Sequence, residues 1–183
     1  MNHLGTKTME TDRLILRSFK ASDGALMYQN WASDEEVTKF LTWPVHTGRD
    51  VSDKLTLLWE KESQDLNQYQ WCIVWKETNE PIGSISAVHM REEIGEIEIG
   101  YCIGRAYWNK GIVSEALTRL IIFFFDEVGA NRVMARHDIN NPASGAVMKK
   151  CGMQFEGIGR QADRNNQGIC DVAYYGILKE DRK

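Results

Sequence analysis

Hydrophobic and polar residues alternate along several short stretches of the chain, which is the pattern of strands with one buried face. Three such stretches follow one another at residues 69–75, 82–90 and 96–103. The residues between them, 77–81 and 91–95, include the polar residues, proline and glycine that favour turns. Because the connections are this short, the three strands are expected to form an antiparallel meander.

The part of the chain before the meander predicts one strand and three helical segments. Residues 14–19 alternate as a strand, and Ser22 is a candidate N-cap for the helix that follows it. This helix would include Leu26, Met27, Asn30 and Trp31. A short turn is expected at residues 37–41, and another helix begins at Thr47 or Asp50. The apolar stripe of that last helix would consist of Val51, Leu55, Leu58 and Trp59.

The part after the meander alternates between helices and strands. Residues 114–128 predict a helix closed by Gly129, and residues 143–151 predict a helix closed by Gly152. Further strands are expected at residues 132–138, around 155–159 and at 171–178. The whole series predicts a mixed sheet with helices on both faces.

Length and charge narrow the class of protein. The chain has 183 residues, enough for one sizeable core, and no linker, repeat or low-complexity block divides it. We therefore expect a single domain over residues 1–183, with residues 1–9 as a loose lead-in. The 22 Lys and Arg against 26 Asp and Glu give a net charge of -4. This balance argues against a nucleic-acid-binding protein and suits a cationic substrate better.

Cysteine usage and hydropathy point to the cytoplasm. The four cysteines are Cys72, Cys102, Cys151 and Cys170. They lie in or beside apolar segments and form no CxxC pair, as expected of reduced thiols. The longest apolar run, residues 120–125, is far shorter than the roughly 20 residues of a membrane span, and residues 1–10 carry no signal-peptide pattern. A cytoplasmic protein without a membrane segment is therefore predicted.

The strongest local signal is residues 104–116, GRAYWNKGIVSEA, a glycine-containing loop between a predicted strand and a predicted helix. A helix start presents unpaired backbone N–H groups and a positive dipole end, and glycine lets the backbone approach a phosphate. The segment therefore fits a ligand that carries a diphosphate. An ordinary strand-to-helix connection, capped by Ser114, explains this loop equally well when the loop is taken alone.

Five stretches of the chain form an ordered series that decides between these readings. They are ETDRLILR at 10–17, EIGY at 98–101, the loop at 104–116, NPAS at 141–144 with KCGM at 150–153, and GICDVAYY at 168–175. The series resembles the GNAT N-acetyltransferases, more narrowly the RimJ/RimL type of ribosomal-protein N-terminal acetyltransferase. The resemblance implies the GNAT fold: an α/β (α+β) domain whose mixed, mostly antiparallel sheet of six to seven strands splays at its middle.

The same resemblance implies transfer of acetyl from acetyl-CoA to a primary amine, by direct attack in a ternary complex. Acetyl-CoA would lie where the strand ending near Ile103 splays from the strand ending near Asp138. The residues expected to contact it are Tyr101, Cys102 and Ile103 along the pantetheine, Trp108, Asn109, Lys110, Gly111, Ile112, Val113 and Ser114 around the diphosphate, and Asn141 and Ser144 beside the pantetheine. Arg105 and Lys110 are further candidates for phosphate contacts, with solvated loop residues as the alternative.

Three positions depart from the pattern of the superfamily. Trp108 stands where many members have Gln or Arg, and Val113 stands where they have Gly or Ala. Met148 stands where many members place a tyrosine that protonates the departing thiolate. Methionine cannot donate a proton. Either another group or water therefore protonates the thiolate here, or the thiolate leaves without being protonated.

Glu98 is the preferred general base, because an amine acceptor is mostly protonated at neutral pH and must lose a proton before it attacks. A solvated or ion-paired carboxylate is the structural alternative for Glu98. Glu96, on the same strand face, is a weaker candidate.

Cys102 abuts the expected site, but no histidine is placed to activate it. The histidines show no ligand spacing, so no metal is predicted.

The acceptor is the open question. A protein N-terminal amine, a free amino acid, a polyamine and an aminoglycoside all remain, and the loops at residues 42–49 and 160–168 would choose among them. Candidate acceptor contacts are Trp43, Trp71, His137, Asp171 and Tyr174. Outside this reading stand a catalytically silent acyl-CoA-binding regulatory module and an unrelated nucleotide-binding domain. The resemblance also leaves a homodimer open.

Overall fold

The computed structural model describes residues 1–182, which form one eight-stranded sheet with helices on both faces. The strands are β1 (Met9–Glu10), β2 (Leu14–Ser18), β3 (Gln70–Trp75), β4 (Glu80–Arg91), β5 (Glu96–Ile103), β6 (Arg132–Asp138), β7 (Gln154–Asn165) and β8 (Gly168–Leu178). The helices are α1 (Gly24–Met27), α2 (Glu35–Thr38), α3 (Arg49–Glu62), α4 (Ile112–Phe123) and α5 (Pro142–Lys150). No helix in this described part is long and apolar enough to cross a membrane.

The strands lie in the order β1-β2-β3-β4-β5-β6-β8-β7, and every neighbouring pair is antiparallel except β5 and β6. The predicted mixed, mostly antiparallel sheet is therefore confirmed, as is the meander of β3, β4 and β5. The sheet has eight strands rather than six to seven. The additional strand is β1, in which Met9 pairs with Leu16 and Glu10 with Ile15.

The N-terminal segment is packed against the domain, so the expectation of a loose lead-in over residues 1–9 is wrong. The backbone N–H of Asn2 donates to the Val128 carbonyl at 2.8 Å, and that of Gly5 donates to the Leu66 carbonyl at 2.9 Å. Met9 is buried. These contacts join distant parts of the chain, and no local periodicity reveals them.

Two apolar layers cover the two faces of the sheet. The larger layer packs α4 and α5 against the sheet and contains Trp71, Ile97 and Ile99 together with Phe123 and Phe124. The smaller layer lies under α1 and the neighbouring turns, and it contains Phe19, Met27, Trp31, Cys72 and Cys102. Alternation along each strand therefore sends successive side chains to different helical layers. On β5, Ile97 and Ile99 face α4, whereas Cys102 faces the opposite layer.

Helix α3 exists as predicted, and two residues of its predicted stripe, Leu55 and Trp59, pack against the smaller layer. Its buried residues are Ser52 and Thr56, whereas Val51 and Leu58 of the predicted stripe are exposed. The reason is the close approach of α1: a Cβ added at Gly24 would lie 2.7 Å from the Cα of Asp53. Only small side chains fit between the helices, so the most buried positions of α3 are polar and hydrophobic periodicity does not identify them.

Helix termini explain most of the other boundary differences. Helix α4 begins at Ile112, two residues before the predicted start, and Ser114 is a buried residue of its first turn rather than its cap. Gly129 ends this helical segment with φ +78°. The helical segment after β2 begins at Ala21, so Lys20 rather than the predicted Ser22 occupies the cap position, and the Asp23 carboxylate accepts from the Lys20 backbone N–H at 2.8 Å.

Trp71 offers a direct test of the larger layer. Its ring is fully buried, stacks on Tyr69 at 5.7 Å between ring centroids, and meets the edges of Phe123 and Phe124. We expect Trp71→Ala to lower the free energy of unfolding by about 3 to 5 kcal/mol in urea denaturation, because it leaves a large cavity. Ile169→Ala, at a side chain 71% exposed, should change it by less than about 0.5 kcal/mol. Equal effects would contradict this account of the core.

Candidate active site

The parallel strands β5 and β6 separate after three residue pairs. The pairs are Glu96 with Arg132, Ile97 with Val133, and Glu98 with Met134. Beyond them β5 continues to Ile103 with only β4 beside it, and β6 continues to Asp138 with only β8 beside it. A gap therefore opens in the middle of the sheet, and residues 99–103 have no neighbouring strand on the side that faces β6. Such an edge can bind an extended chain as an added strand would.

The loop that follows β5 presents six backbone N–H groups without a protein acceptor. Within residues 1–182, no hydrogen bond is donated by the amides of residues 109–114, and the first intrahelical bond runs from Glu115 to the Gly111 carbonyl at 3.1 Å. Asn109 and Gly111 both have left-handed backbones, with φ +59° and +71°. Left-handed residues near a helix start turn successive amides toward a common point, which makes an anion-binding concavity.

Side chains fix this loop and give it positive charge. The Trp108 indole donates to the Ile103 carbonyl at 3.0 Å and so ties the loop to the end of β5. Arg13 donates to the Lys110 carbonyl at 3.0 Å. A Cβ at Gly111 would lie 3.4 Å from the Lys150 ammonium, which places this cation at the mouth of the loop. Arg105, by contrast, pairs with Asp34 at 2.9 Å.

A cavity of about 270 Å³ occupies the gap between the strands. Its walls come from β4, β5, β6, α5, the β7–β8 hairpin and the segment 40–43. Of the residues predicted for the site, it brings together Trp43, Glu98, Tyr101, Cys102, His137, Asn141 and Ser144. Residues widely spaced in sequence thus meet at one opening of the sheet.

Glu98 lies in the cavity wall and is held by Arg136. The Arg136 Nε is 2.8 Å from the Glu98 carboxylate, and its Nη2 is 3.4 Å from Asp163. Burial lowers the pKa of Arg136, but the charges of Glu98 and Asp163 outweigh this effect and raise the pKa overall. The arginine therefore stays charged and orients one oxygen of Glu98.

Glu96 has a different environment from Glu98. Its carboxylate is almost fully buried and pairs with Arg91 at 2.7 Å and with Arg132 at 2.6 Å. Both oxygens are occupied by guanidinium groups, and Glu96 does not line the cavity. This carboxylate is placed to join strands rather than to meet a substrate.

Two hydroxyl groups face each other across the gap. The Tyr101 hydroxyl donates to the Ser144 carbonyl at 3.0 Å, and the two hydroxyl oxygens are 2.9 Å apart. Burial raises the pKa of Tyr101 far above its usual value, although the bond with Ser144 opposes this shift. The phenol therefore stays protonated, and it holds the Ser144 hydroxyl at the start of α5.

His137 lines the cavity from the side of α5. Its Nδ1 bonds to the Asp138 carbonyl at 2.7 Å, and its ring stacks on Tyr175. Its Nε2 is buried without a partner among residues 1–182. A Cβ at Gly145 would lie only 2.5 Å from this nitrogen, so the glycine is what lets the helix approach the ring.

This geometry agrees with the sequence comparisons. The protein family described as "Acetyltransferase (GNAT) domain" matches residues 13–154. The N-acetyltransferase p20 of Bacillus licheniformis is 31% identical over 175 residues, which cover 96% of this chain and 98% of that protein. The chain belongs to the GNAT acetyltransferases. This family consists of acetyl-CoA-dependent acetyltransferases, so the alternative of an unrelated nucleotide-binding domain is excluded.

Relatives of the GNAT chain include ribosomal-protein acetyltransferases. The ribosomal-protein-serine acetyltransferase of Escherichia coli K12 is 27% identical over 138 residues, covering 75% of this chain and 76% of that protein. Among solved structures, RimL, a ribosomal L7/L12 alpha-N-protein acetyltransferase in complex with coenzyme A, superposes with a TM-score of 0.84. It covers 96% of this chain and 100% of its own at 22% identity, which shows a shared fold.

Three predicted acceptor contacts of this GNAT domain lie outside the cavity. Trp71 is enclosed in the larger apolar layer, where its indole donates to the Lys7 carbonyl at 2.7 Å. The Asp171 carboxylate accepts from the Gln161 N–H at 2.8 Å. Tyr174 lies beside Arg136 and under Gly159. These three residues therefore contact other parts of the protein, and none of them lines the cavity.

Sequence reasoning missed Arg136, Asp163 and the Tyr101–Ser144 hydroxyl pair. A signal for Arg136 was present: period-two alternation places Arg132, Met134 and Arg136 on one face of β6. Glu96 and Glu98 share one face of β5, and Arg132 and Arg136 share one face of the neighbouring β6. This arrangement indicates ion pairs between the two strands. No comparable local signal exists for Asp163, which reaches the site through the long β7–β8 hairpin.

Proposed function

We propose that the six unpaired amides of residues 109–114 bind the diphosphate of acetyl-CoA, and that this protein acetylates a primary amine in the adjoining cavity. The supporting observation is that these N–H groups lie at the start of α4, directly after the free edge of β5. Residues 101–103 would pair with the pantetheine arm along that edge. Trp108 would support the loop from behind, while Asn141 and Ser144 at the start of α5 would border the same arm.

Glu98 is the proposed general base. Arg136 holds one of its oxygens, and 13% of its side chain is exposed toward the cavity. An acceptor amine with a pKa of about 8 to 10.4 is mostly protonated at pH 7. Its proton therefore passes to the Glu98 carboxylate, either directly or through one water molecule. The neutral nitrogen then has the lone pair that attack requires.

The amine nitrogen attacks the thioester carbonyl carbon, so a C–N bond forms and the carbonyl oxygen becomes an oxyanion. A backbone N–H of residues 101–103 is the proposed donor to this oxyanion. The oxyanion then collapses to a carbonyl, and the C–S bond breaks with its electron pair on sulfur. The nitrogen loses its surplus proton to solvent, which leaves the neutral N-acetyl product and the thiolate of coenzyme A. Most of the acceleration comes from holding the two substrates together, and no covalent enzyme intermediate is needed.

The hydroxyl of Ser144 is the proposed proton source for that thiolate. Met148, which occupies the usual tyrosine position, is buried in the apolar layer. Tyr101 comes from β5 instead and holds Ser144 through two hydrogen-bond contacts. The Ser144 hydroxyl would give its proton to sulfur and regain one from solvent.

A protein N-terminal amine is the proposed acceptor class, because relatives that match this chain include the ribosomal-protein-serine acetyltransferase of E. coli. The cavity wall also carries Glu98, Asp138 and Asp163 against Arg136, which suits a cationic group. One observation favours the alternative of a catalytically silent acyl-CoA-binding module: Arg136 already occupies one oxygen of the proposed base.

A thiol-release assay distinguishes these two functions. Acetyl-CoA is incubated with the protein and with peptides that have free N-terminal serine or alanine, a free amino acid, spermidine, or an aminoglycoside. We expect the serine or alanine peptides to accelerate thiol release, with mass spectrometry locating one acetyl group on the N-terminal nitrogen. Binding of acetyl-CoA without acceleration by any amine would favour the silent module.

Gly111 tests the proposed diphosphate site. We expect Gly111→Val to raise the Kd of acetyl-CoA at least about tenfold, or about 1.4 kcal/mol, because valine cannot keep the left-handed backbone that directs the amides. The matched control is Gly129→Val, since Gly129 has φ +78° and open space around an added Cβ. Isothermal titration calorimetry should show the wild-type Kd for the control. Equal Kd values for all three proteins would remove the loop from cofactor binding.

Glu98 and Glu96 form a matched pair for the acid-base role. We expect Glu98→Gln to lower kcat about 100-fold or more while the Kd of acetyl-CoA stays nearly constant, because an amide cannot accept the proton. Glu96→Gln, two residues away in an ion-paired site, should change kcat much less and reduce thermal stability instead. Steady-state kinetics and thermal melts separate the two effects. An unchanged kcat in Glu98→Gln would exclude Glu98 as the base.

A further inference from the structure

One wall of the cavity is an irregular segment without helix or strand. It consists of residues 40–43, here named the roof, in the connection between α2 and α3. All four residues border the cavity. A segment of this kind has no ladder of backbone hydrogen bonds to fix it, so its position depends on individual contacts.

The turn between β7 and β8 supplies those contacts through Asn166. The Asn166 side-chain nitrogen donates to the Thr38 carbonyl and to the Trp43 carbonyl, both at 2.8 Å. Its backbone N–H donates to the Leu41 carbonyl at 3.2 Å. One residue thus engages three carbonyls that flank or belong to the roof. Asparagine suits this position because its amide group provides two N–H donors.

The turn is itself anchored to the opening of the sheet. Asn165 donates to the Asp138 carboxylate at 2.7 Å, and Asp138 ends β6 beside the cavity. Burial raises the pKa of Asp138, but hydrogen bonds from Asn140 and Asn165 outweigh it, so the pKa is lowered and the carboxylate stays charged. The chain of contacts from β6 through Asn165 and Asn166 therefore sets the distance between the roof and the wall that carries Glu98.

From this arrangement we propose that Asn166 is a positioning residue for the acceptor: its hydrogen bonds hold the roof over the cavity at the spacing that the amine substrate requires. The proposal rests on the proposed function, because the cavity must be the acceptor site. Within residues 1–182, Asn166 makes no hydrogen bond to the loop at 109–114 or to the free edge of β5. Its loss should therefore affect the acceptor and leave acetyl-CoA binding intact.

The test compares the wild type with Asn166→Asp, Asn166→Ala and the control Gln167→Ala. Aspartate keeps the shape of the side chain but replaces two donors by oxygen facing two carbonyls. Gln167 occupies the same turn, and its side chain is exposed and makes no hydrogen bond within residues 1–182. The acceptor probe is a hexapeptide with a free N-terminal serine. Amide hydrogen exchange of residues 38–46 follows the roof independently of catalysis.

We expect both Asn166 variants to raise the KM for the peptide about fivefold or more, in line with the loss of two side-chain hydrogen bonds. The KM for acetyl-CoA and the melting temperature should stay near wild type, and exchange of residues 38–46 should become faster. Gln167→Ala should match the wild type throughout. A peptide KM within twofold of wild type in both variants, or equal rises of both KM values, would overturn the proposal.

The hydrogen-exchange readout separates this proposal from the proposed function. Thiol release that no amine accelerates, in any of the four proteins, would count against the proposed function. The proposal that Asn166 holds the roof is still tested in that case, because unchanged exchange of residues 38–46 in both Asn166 variants would overturn it.

Discussion

The separation of β5 from β6 after Glu98 and Met134 is the constraint on which the rest of the site depends. Backbone polar groups in a folded protein are almost always paired, yet here a strand edge and the start of α4 lie next to each other with unpaired donors. Closing the sheet with further pairs between β5 and β6 would satisfy the edge and remove the cavity. The open edge and the cavity are therefore one structural feature, built by the divergence of two strands, and the unpaired amides of residues 109–114 lie beside it.

Charge distribution around the gap follows from the same divergence. Where the strands are still paired, Glu96 is enclosed by Arg91 and Arg132 and links β4, β5 and β6. One alternation further on, Glu98 stands at the point of separation and keeps contact with the cavity, although Arg136 holds one oxygen. Two glutamates of the same strand face thus differ because one precedes the opening and the other borders it. The proposed acid-base role of Glu98 and the structural role of Glu96 therefore follow from their positions relative to the opening of the sheet.

The proposed acceptor side is built differently from the proposed acetyl-CoA side. The loop at residues 109–114 is continuous in sequence, and its geometry arises from local backbone conformation at Asn109 and Gly111. The roof and the β7–β8 turn are more than 120 residues apart, and within residues 1–182 the hydrogen bonds that join them come from Asn166. A continuous motif can keep one cofactor across a family, while loops joined by a few contacts can vary with the acceptor. Because of this difference, the sequence predicts acetyl-CoA as a substrate but does not predict the identity of the amine acceptor.

Local periodicity and motifs that are continuous along the chain were enough to predict the meander, the loop at residues 104–116, the helices that follow it and the GNAT membership. Packing in three dimensions was needed to show that Trp71 belongs to the core, that α3 buries Ser52 and Thr56, and that the N-terminal segment is packed. It also brought Arg136 to Glu98 and Asn166 to the roof. These outcomes depend on how closely distant elements approach one another, and the spacing of residues along one element carries no record of that distance.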